Sequence, residues 1–378
     1  MKQFLFTFFI LLLISLFATN CNTEHYNFDN SDKYYKYDIS FPIKAENFSS
    51  RYFKYCPSLN NFCFYSKDQK KIFIFSFEGE LMDSINLNIK KNLDDFYVLN
   101  NDSIYLSIEN ENRILLISKN GNNLLKEYKL EIKNLNKPFY TYNYKNFPLE
   151  VRNNLVYTYH YLDNETSKDN LHNYFSNPRE LIFHLSDTLH LVSKIGKFPS
   201  NYISENYLEM NPMRTFGYKN NIVYSFESSD SLYLYDGNEY EHKLLKSINL
   251  KTKYFKKNKQ IDEDNIPKEN YFEEITKYVI ENDRYGDLYF CYETNNYFRT
   301  LKIGAPYKNG DGTKKQVEDC PWLLLKYNNE FDLISSVKFQ PSHYSIYSMI
   351  LLKNNNFIVP YLINKNENET KFAVFNFD

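Results

Sequence analysis

The sequence predicts an all-β protein, a six-bladed β-propeller, and three observations carry that prediction. A strand–turn–strand phrase recurs along the chain, and a further strand-like run precedes each copy. A lone strand near the N-terminus also matches an outer strand missing at the C-terminus. A β-hairpin repeated at this scale denotes blades or a solenoid.

The phrase joins a short apolar and aromatic run, a polar turn and a second run of alternating polar and apolar residues. It reads KIFIFSFEGELMDSINLNI from Lys71, RILLISKNGNNLLKEYKLEI from Arg113 and LIFHLSDTLHLVSKIGKF from Leu181. It returns as SLYLYDGNEYEHKLLKSINL from Ser231, LLLKYNNEFDLISSVKF from Leu323 and, cut short, KFAVFNFD from Lys371. The preceding runs are NFCFYS from Asn61, DSIYLSI from Asp102, NLVYTYHY from Asn154, NIVYSFES from Asn221, DLYFCYE from Asp287 and NFIVPYLI from Asn356.

Taking Phe62, Ile104, Leu155, Ile222, Leu288 and Phe357 as equivalent gives steps of roughly 40 to 70 residues. Four strands need roughly 40–50, so the longer repeats carry insertions. Weaker first strands fit at Arg51–Cys56, Asp95–Leu99, Met213–Tyr218 and Tyr344–Leu352. The sixth repeat stops after its third strand. The segment YYKYDISFPI, Tyr34 to Ile43, pairs against Lys371–Phe377 in this reading, completing the last blade and closing the ring. A β-sandwich of irregular hairpins is the alternative.

Met1–Cys21 reads as a secretion signal, with Lys2 as the positive start and Phe4–Ala18 as an apolar stretch too short to span a bilayer comfortably. Ala18-Thr19-Asn20-Cys21 stands where a bacterial lipoprotein has its lipobox, although Asn20 is bulky for the place before the cysteine. Cys21 is then the lipidated N-terminus; an ordinary signal followed by a chance cysteine is the alternative. The expected organisation is a signal over 1–20, a polar tether over 21–33 and one propeller domain over 34–378.

Lipidation of Cys21 leaves Cys56, Cys63, Cys291 and Cys320. The repeat alignment pairs Cys56 with Cys63 and Cys291 with Cys320 as candidate disulfides; four buried thiols fit equally well. The formal net charge of −2 implies no strong field, which argues against nucleic acid as a partner. The 36 Tyr and 32 Phe supply β-favouring bulk without naming a ligand.

Three regions fall outside the blade pattern: Leu162–Arg179, Lys251–Asp283 and Glu293–Pro321. In the second, Tyr271, Ile275 and Tyr278 follow Pro267 at helical spacing, which predicts a short helix where a first strand of blade five is also wanted.

The lipobox-like signal, the serial hairpins and the segment VLNNDSIYLSIENENRILLISKNGNNLLKEYKL from Val98 together resemble the six-bladed, TolB-like propeller lipoproteins of the Bacteroides group. That group includes a domain-of-unknown-function family of about this length. The resemblance implies a periplasmic or surface-exposed outer-membrane lipoprotein and carries over no functional residue.

The chemistry is sparse. The seven His residues lack HExxH spacing, no CxxC or GxSxG motif occurs, and no metal or cofactor is expected. Asn309-Gly310-Asp311-Gly312 lacks the further oxygen ligands of a calcium loop and reads as a polar turn. The basic run KTKYFKKNK from Lys251 reads as a solvated loop. Asp-Ser/Thr-apolar triplets at Asp83, Asp102, Asp187 and Asp230 are similar to an O-glycosylation pattern.

One constellation follows from the repeat itself. Five residues beyond each reference position stand Lys67, Glu109, His160, Glu227, Glu293 and Leu362. On equivalent strand ends the first five would ring one mouth of the channel and hold a cation or a hydroxyl-rich ligand, with Tyr161 or Tyr292 stacking. Polar strand ends facing water are the plainer reading. The expectation is therefore a monomeric, lipid-anchored envelope binding or scaffold protein for a glycan, a peptide or another envelope protein. The rival is a glycan-active hydrolase or lyase using carboxylates of the same ring.

Overall fold

A computed structural model of the chain describes residues 28–378, apart from 110, 121–122, 131–138, 142, 144, 146, 163–170, 205–211, 239–240, 251, 257, 262–265 and 364–366. The signal segment and Cys21 lie outside the described residues.

Six sheets follow one another along the chain, each antiparallel through its four main strands. Blade one comprises Phe53–Cys56, Asn61–Ser66, Lys71–Phe75 and Leu81–Asn86; blade two comprises Leu93–Val98, Ser103–Ile108, Arg113–Ser118 and Leu124–Lys129. Blade three comprises Glu150–Arg152, Leu155–Leu162, Glu180–Leu185 and Leu189–Ile195, with Phe139–Thr141 also paired to its second strand. Blade four comprises Met213–Phe216, Ile222–Ser225, Ser231–Tyr235 and Leu244–Asn249. Blade five comprises Arg284–Cys291, Asn296–Lys302, Trp322–Tyr327 and Leu333–Phe339. Blade six takes Ile350–Leu351, Asn356–Pro360 and Thr370–Asn376 from the C-terminal end.

The expected ring closure is present. Tyr35–Phe41 supplies the outer strand of blade six, in register from Tyr35 opposite Phe375 to Phe41 opposite Thr370. The closing strand is held by an aromatic plug. Phe41 is fully buried and meets Phe53, Phe62, Phe75 and Phe372 edge-on, with centroids 4.9–5.5 Å apart. Three of those rings belong to blade one, so the residue that completes blade six also cements it to its neighbour. Gly79, in a turn of blade one at φ +87°, sits so close to this strand that a Cβ would strike the Ser40 carbonyl.

Between blades the core is divided into separate apolar clusters. One joins Phe372 of blade six to blades one and two through Phe53 and Phe96; another joins Tyr105 and Tyr128 of blade two to Val156 of blade three. Others join Tyr157 to Phe216, Val223 to Leu325, and Phe298 to Phe357, so apolar packing runs round the whole ring. Near-continuous burial along inner strands such as Asn61–Ser66, Ser103–Ile108 and Ile222–Ser225 makes this possible, because each sheet presents apolar side chains to both neighbours.

The last residues of the segment expected as a tether, 29–33, are structured. Asp29–Asn30 pairs in parallel with the outer strand of blade five, and Ser31–Lys33 forms a single 3-10 turn before the closing strand.

Blade five corrects the repeat alignment. Its first strand is Arg284–Cys291, and its second, Asn296–Lys302, lies inside the segment expected to be an insertion. The predicted helix is also real, spanning Tyr271–Glu281 immediately before that first strand, so helix and strand do not compete. Lys302, wholly buried, joins the two by donating to the carbonyls of Ile280 (3.1 Å) and Asn282 (2.5 Å) at the helix's C-terminal end.

The cysteine pairing is corrected too. All four cysteines are buried free thiols. Cys291 ends the first strand of blade five, whereas Cys320 precedes the third, beside Ile280 at the opposite end of the sheet. A six-residue strand separates them by about 20 Å, beyond the reach of a disulfide. Cys56 and Cys63 are neighbours, and the Cys56 contact and burial raise the Cys63 thiol well above its ordinary range, which keeps it protonated.

Candidate functional site: the central channel

The first strands of the blades line a cavity of about 460 Å³ on the ring axis, within the range typical of small-molecule sites. Blades one, two, three, five and six contribute walls. Tyr55, Tyr97, Tyr289 and Tyr292 supply aromatic surface, and Met349 and Pro57 add apolar surface.

The charged lining is one-sided. Arg51, Lys54, Lys145 and Arg152 line the cavity, against the single carboxylate of Glu150. Each cation is nevertheless paired: Arg51 with Asp94, Lys54 with Asp95, Lys145 with Asp287 at 2.5 Å and Arg152 with Glu150 at 2.7 Å. The cations keep 19–34% of their side chains exposed and their partners only 1–15%. Asp94, Asp95 and Asp287 thus stand behind the wall, while their cationic partners are among the residues that line the cavity. Such backing orients a cation before any ligand arrives.

The wall carboxylates are themselves anchored. Asp94 accepts from the Asn143 backbone N–H at 2.5 Å and its side-chain amide at 3.2 Å; that amide also reaches Ser107. Burial pushes the Asp94 carboxyl up to about 7, against the pull of Asn143 and Arg51 in the other direction. Asp95 accepts from the Leu149 N–H at 2.8 Å, joining blade two to blade three.

Two side chains cross the channel. Lys145, from the connection between blades two and three, reaches Asp287 of blade five and the Tyr347 carbonyl next to blade six. Asp287 also accepts from the Tyr289 hydroxyl at 2.6 Å. Burial lowers the Lys145 ammonium pKa against the opposing pull of Asp287. Towards the other end, Arg152 of blade three donates to the Tyr292 hydroxyl at 2.7 Å, beyond the first strand of blade five. Burial alone would lower the Arg152 pKa, but Glu150 and Tyr292 hold it above its ordinary range. The cavity therefore has a polar bar at each end.

The expected carboxylate ring does not assemble. Lys67 and Glu109 do meet at a rim, 3.8 Å apart, with Lys67 also over the Tyr52 ring. Glu227 is half-buried and ion-paired with Arg284, and desolvation raises its carboxyl despite that partner. Glu293 follows the first rather than the second strand of blade five, which puts it at the opposite end of the sheet; Lys302 holds the equivalent position. The Tyr161 side chain lies outside the described residues, and Tyr292 belongs to the channel instead. Asn309–Gly312 forms a hydrogen-bonded turn with Asp311 accepting from Thr313 at 2.6 Å. Among the described residues no three His, Cys, Asp or Glu side chains converge as metal ligands would.

His160 is buried beside Arg179 and Lys194; burial and these two cations push its imidazole down to about 3. Folded His160 thus stays neutral while the unfolded chain protonates near 6.5, so stability is lost as pH falls from 6.5 towards 3. The expected slope is about 1.4 kcal/mol per pH unit. Urea denaturation of His160→Phe between pH 4 and 7 should flatten that slope; an unchanged profile would contradict the assignment.

The family model described as "Domain of unknown function (DUF4221)" matches residues 88–338. The chain belongs to this family. The DUF4221 match covers blades two to five, while the ring closed through blades six and one extends beyond it. A DUF4221 member from Bacteroides vulgatus ATCC 8482, solved by crystallography, is 15% identical, with 90% of this chain and 97% of that chain covered at a TM-score of 0.67. A candidate exported protein of Bacteroides fragilis NCTC 9343 is 12% identical over 92% and 96% of the two chains, at 0.49. The calcium-binding protein regucalcin of Agrobacterium tumefaciens C58 is 7% identical over 91% and 96%, at 0.43. Of these three, the first alone exceeds 0.5, and it shows the fold. No curated protein matches the sequence. Among the described residues no helix is long and apolar enough to cross a membrane.

The channel's cations escaped the sequence reading. A signal existed in Asp94-Asp95, two acids inside an otherwise apolar strand, which demand buried cationic partners.

Proposed function

We propose that this DUF4221 protein is a lipid-anchored envelope propeller that binds a small anionic molecule in its central channel. The observation that carries the reading is the lining itself: four cationic residues and one carboxylate residue around a cavity of about 460 Å³, with three compensating carboxylates buried behind. Charge-assisted hydrogen bonds to a carboxylate or phosphate are stronger than neutral ones, and the backing carboxylates hold the donors in place. Tyr97, Tyr289 and Tyr292 add flat surfaces and hydroxyl groups suited to a sugar or a peptide terminus. An acidic saccharide or the carboxylate end of a peptide fits this description better than a neutral glycan. Cys21 supplies the lipid anchor in this reading, holding the propeller at the outer membrane.

Titration calorimetry of the mature chain against uronic acids, short peptides and phosphorylated sugars tests the reading. Arg152→Gln should weaken binding of an anionic ligand by about 1.5–3 kcal/mol, the worth of a charged hydrogen bond. Binding of neutral sugars alone, or anion binding indifferent to Arg152, would overturn it.

A further inference from the structure

The outer strand of every blade carries one extra residue beside its third strand, a β-bulge. The bulged residues are Met82, Leu125, Val192, Leu245 and Ile334 in blades one to five, and Lys36 in blade six. In every blade but the third, the bulge falls at the same register, at the start of the outer strand. In blades one, two, four and five the preceding residue is apolar as well: Leu81, Leu124, Leu244 and Leu333. All eight side chains are 40–61% exposed. Blades related by rotation about the channel axis put equivalent positions at one level, so the four pairs of blades one, two, four and five lie on one rim of the ring.

A bulge on an edge strand blocks pairing with another chain whatever its side chain, as Lys36 illustrates. The backbone device therefore leaves the apolar choice unexplained. Its position supplies the explanation. Asp29–Asn30 runs parallel to the blade-five outer strand, with Asp29 opposite Val337, so the chain enters from the end where Leu333 and Ile334 lie. Phe28, Leu333 and Ile334 line one groove. Six residues lie between Cys21 and Phe28, at most about 25 Å of chain over the seven steps.

We infer that the rim rests on a phospholipid bilayer, with the bulged side chains dipping into its interface and the propeller lying flat against it. The inference takes only the lipid anchor from the proposed function and is independent of the channel ligand. Repeated shallow apolar contacts add to a single lipid anchor, which alone gives only marginal binding.

The test is flotation of the mature Cys21→Ser chain with phosphatidylcholine vesicles, beside the lipidated wild type, which reports the anchor separately. The unlipidated chain should float with the vesicles. The fourfold variant Met82→Ser, Leu125→Ser, Leu245→Ser and Ile334→Ser should partition at least tenfold less at an unchanged melting temperature. Ile334→Ser alone, beside the tether, should show a smaller loss in the same direction. No flotation of the Cys21→Ser chain, or equal partition of all variants, overturns the inference. A concentration-dependent dimer in sedimentation velocity that the fourfold variant abolishes would assign the rim to a second copy and overturn it equally.

Discussion

Replacing Arg214 by Met is expected to cost about 3–5 kcal/mol of folding stability, the range for leaving a buried charge without its partner. Arg214 and Glu180 are almost wholly buried and ion-paired, and Glu180 also accepts from the Tyr224 hydroxyl. Arg214 further donates to the Pro148 carbonyl at 2.7 Å and lies over the Phe216 and Phe147 rings at 5.0 and 5.2 Å. The pair clamps blade four to blade three at a point where both inner strands are short. Burial already raises the Glu180 carboxyl despite Arg214. Without the cation, Glu180 is raised further, so the folded variant binds a proton that the unfolded chain releases above about pH 4.5. Its stability deficit should therefore shrink as pH falls towards 4.5. Denaturant midpoints of Arg214→Met and of Arg214→Met with Glu180→Gln measure this. The double variant should recover part of the loss; a deficit below about 1 kcal/mol for the single variant would contradict a buried clamp.

Phe41→Ala should be comparably damaging, at about 3–5 kcal/mol, because it removes a fully buried ring from the seam between blades six and one. The cavity would open among Phe53, Phe62, Phe75 and Phe372, on both sides of the closure. Local loosening should accompany the global loss. Hydrogen exchange is expected to speed up first in Tyr35–Phe41 and Thr370–Asn376, the two strands that hold the ring shut. Uniform acceleration over all six blades would show that the closure is not a separate weak point.

How far these features can be read from residues alone depends on what each strand buries. The third and outer strands were plain because KIFIF, RILLIS and SLYLY are short, almost wholly apolar and aromatic runs, each followed by a turn and an alternating run. The closing strand and the Tyr271–Glu281 helix were legible for the same reason, as periodicity set beside a gap in the repeat. Asn296–Lys302 was not. Its sequence NYFRTLK contains Arg299 and Lys302, which look like loop residues until the partners are seen. Arg299 is fully buried over the Tyr285 ring and donates to the carbonyls of Phe226 and Ser229 in the neighbouring blade; Lys302 binds the end of the helix. Buried cations satisfied by backbone carbonyls leave no complementary acid in the sequence to betray them.

Missing that strand shifted Glu293 into a ring to which it does not belong. The channel was hidden by a related effect. Its inner strands carry the charges, as in Leu93–Val98 with Asp94 and Asp95, and one of them, Glu150–Arg152, is only three residues long. Its pairs span distant segments, Arg51 with Asp94 and Lys145 with Asp287. Spacing in the sequence says nothing of such pairings until the ring is closed.

The central claim is that the channel holds a small anion, and a crystal structure of the mature chain soaked with uronate, peptide and sugar-phosphate mixtures tests it most directly. The account predicts density for a carboxylate or phosphate between Lys54, Lys145 and Arg152, with Asp95, Asp287 and Glu150 keeping their present partners. A channel empty of anions under saturating soaks, with a neutral sugar or an anion bound at the Lys67–Glu109 rim instead, would contradict it.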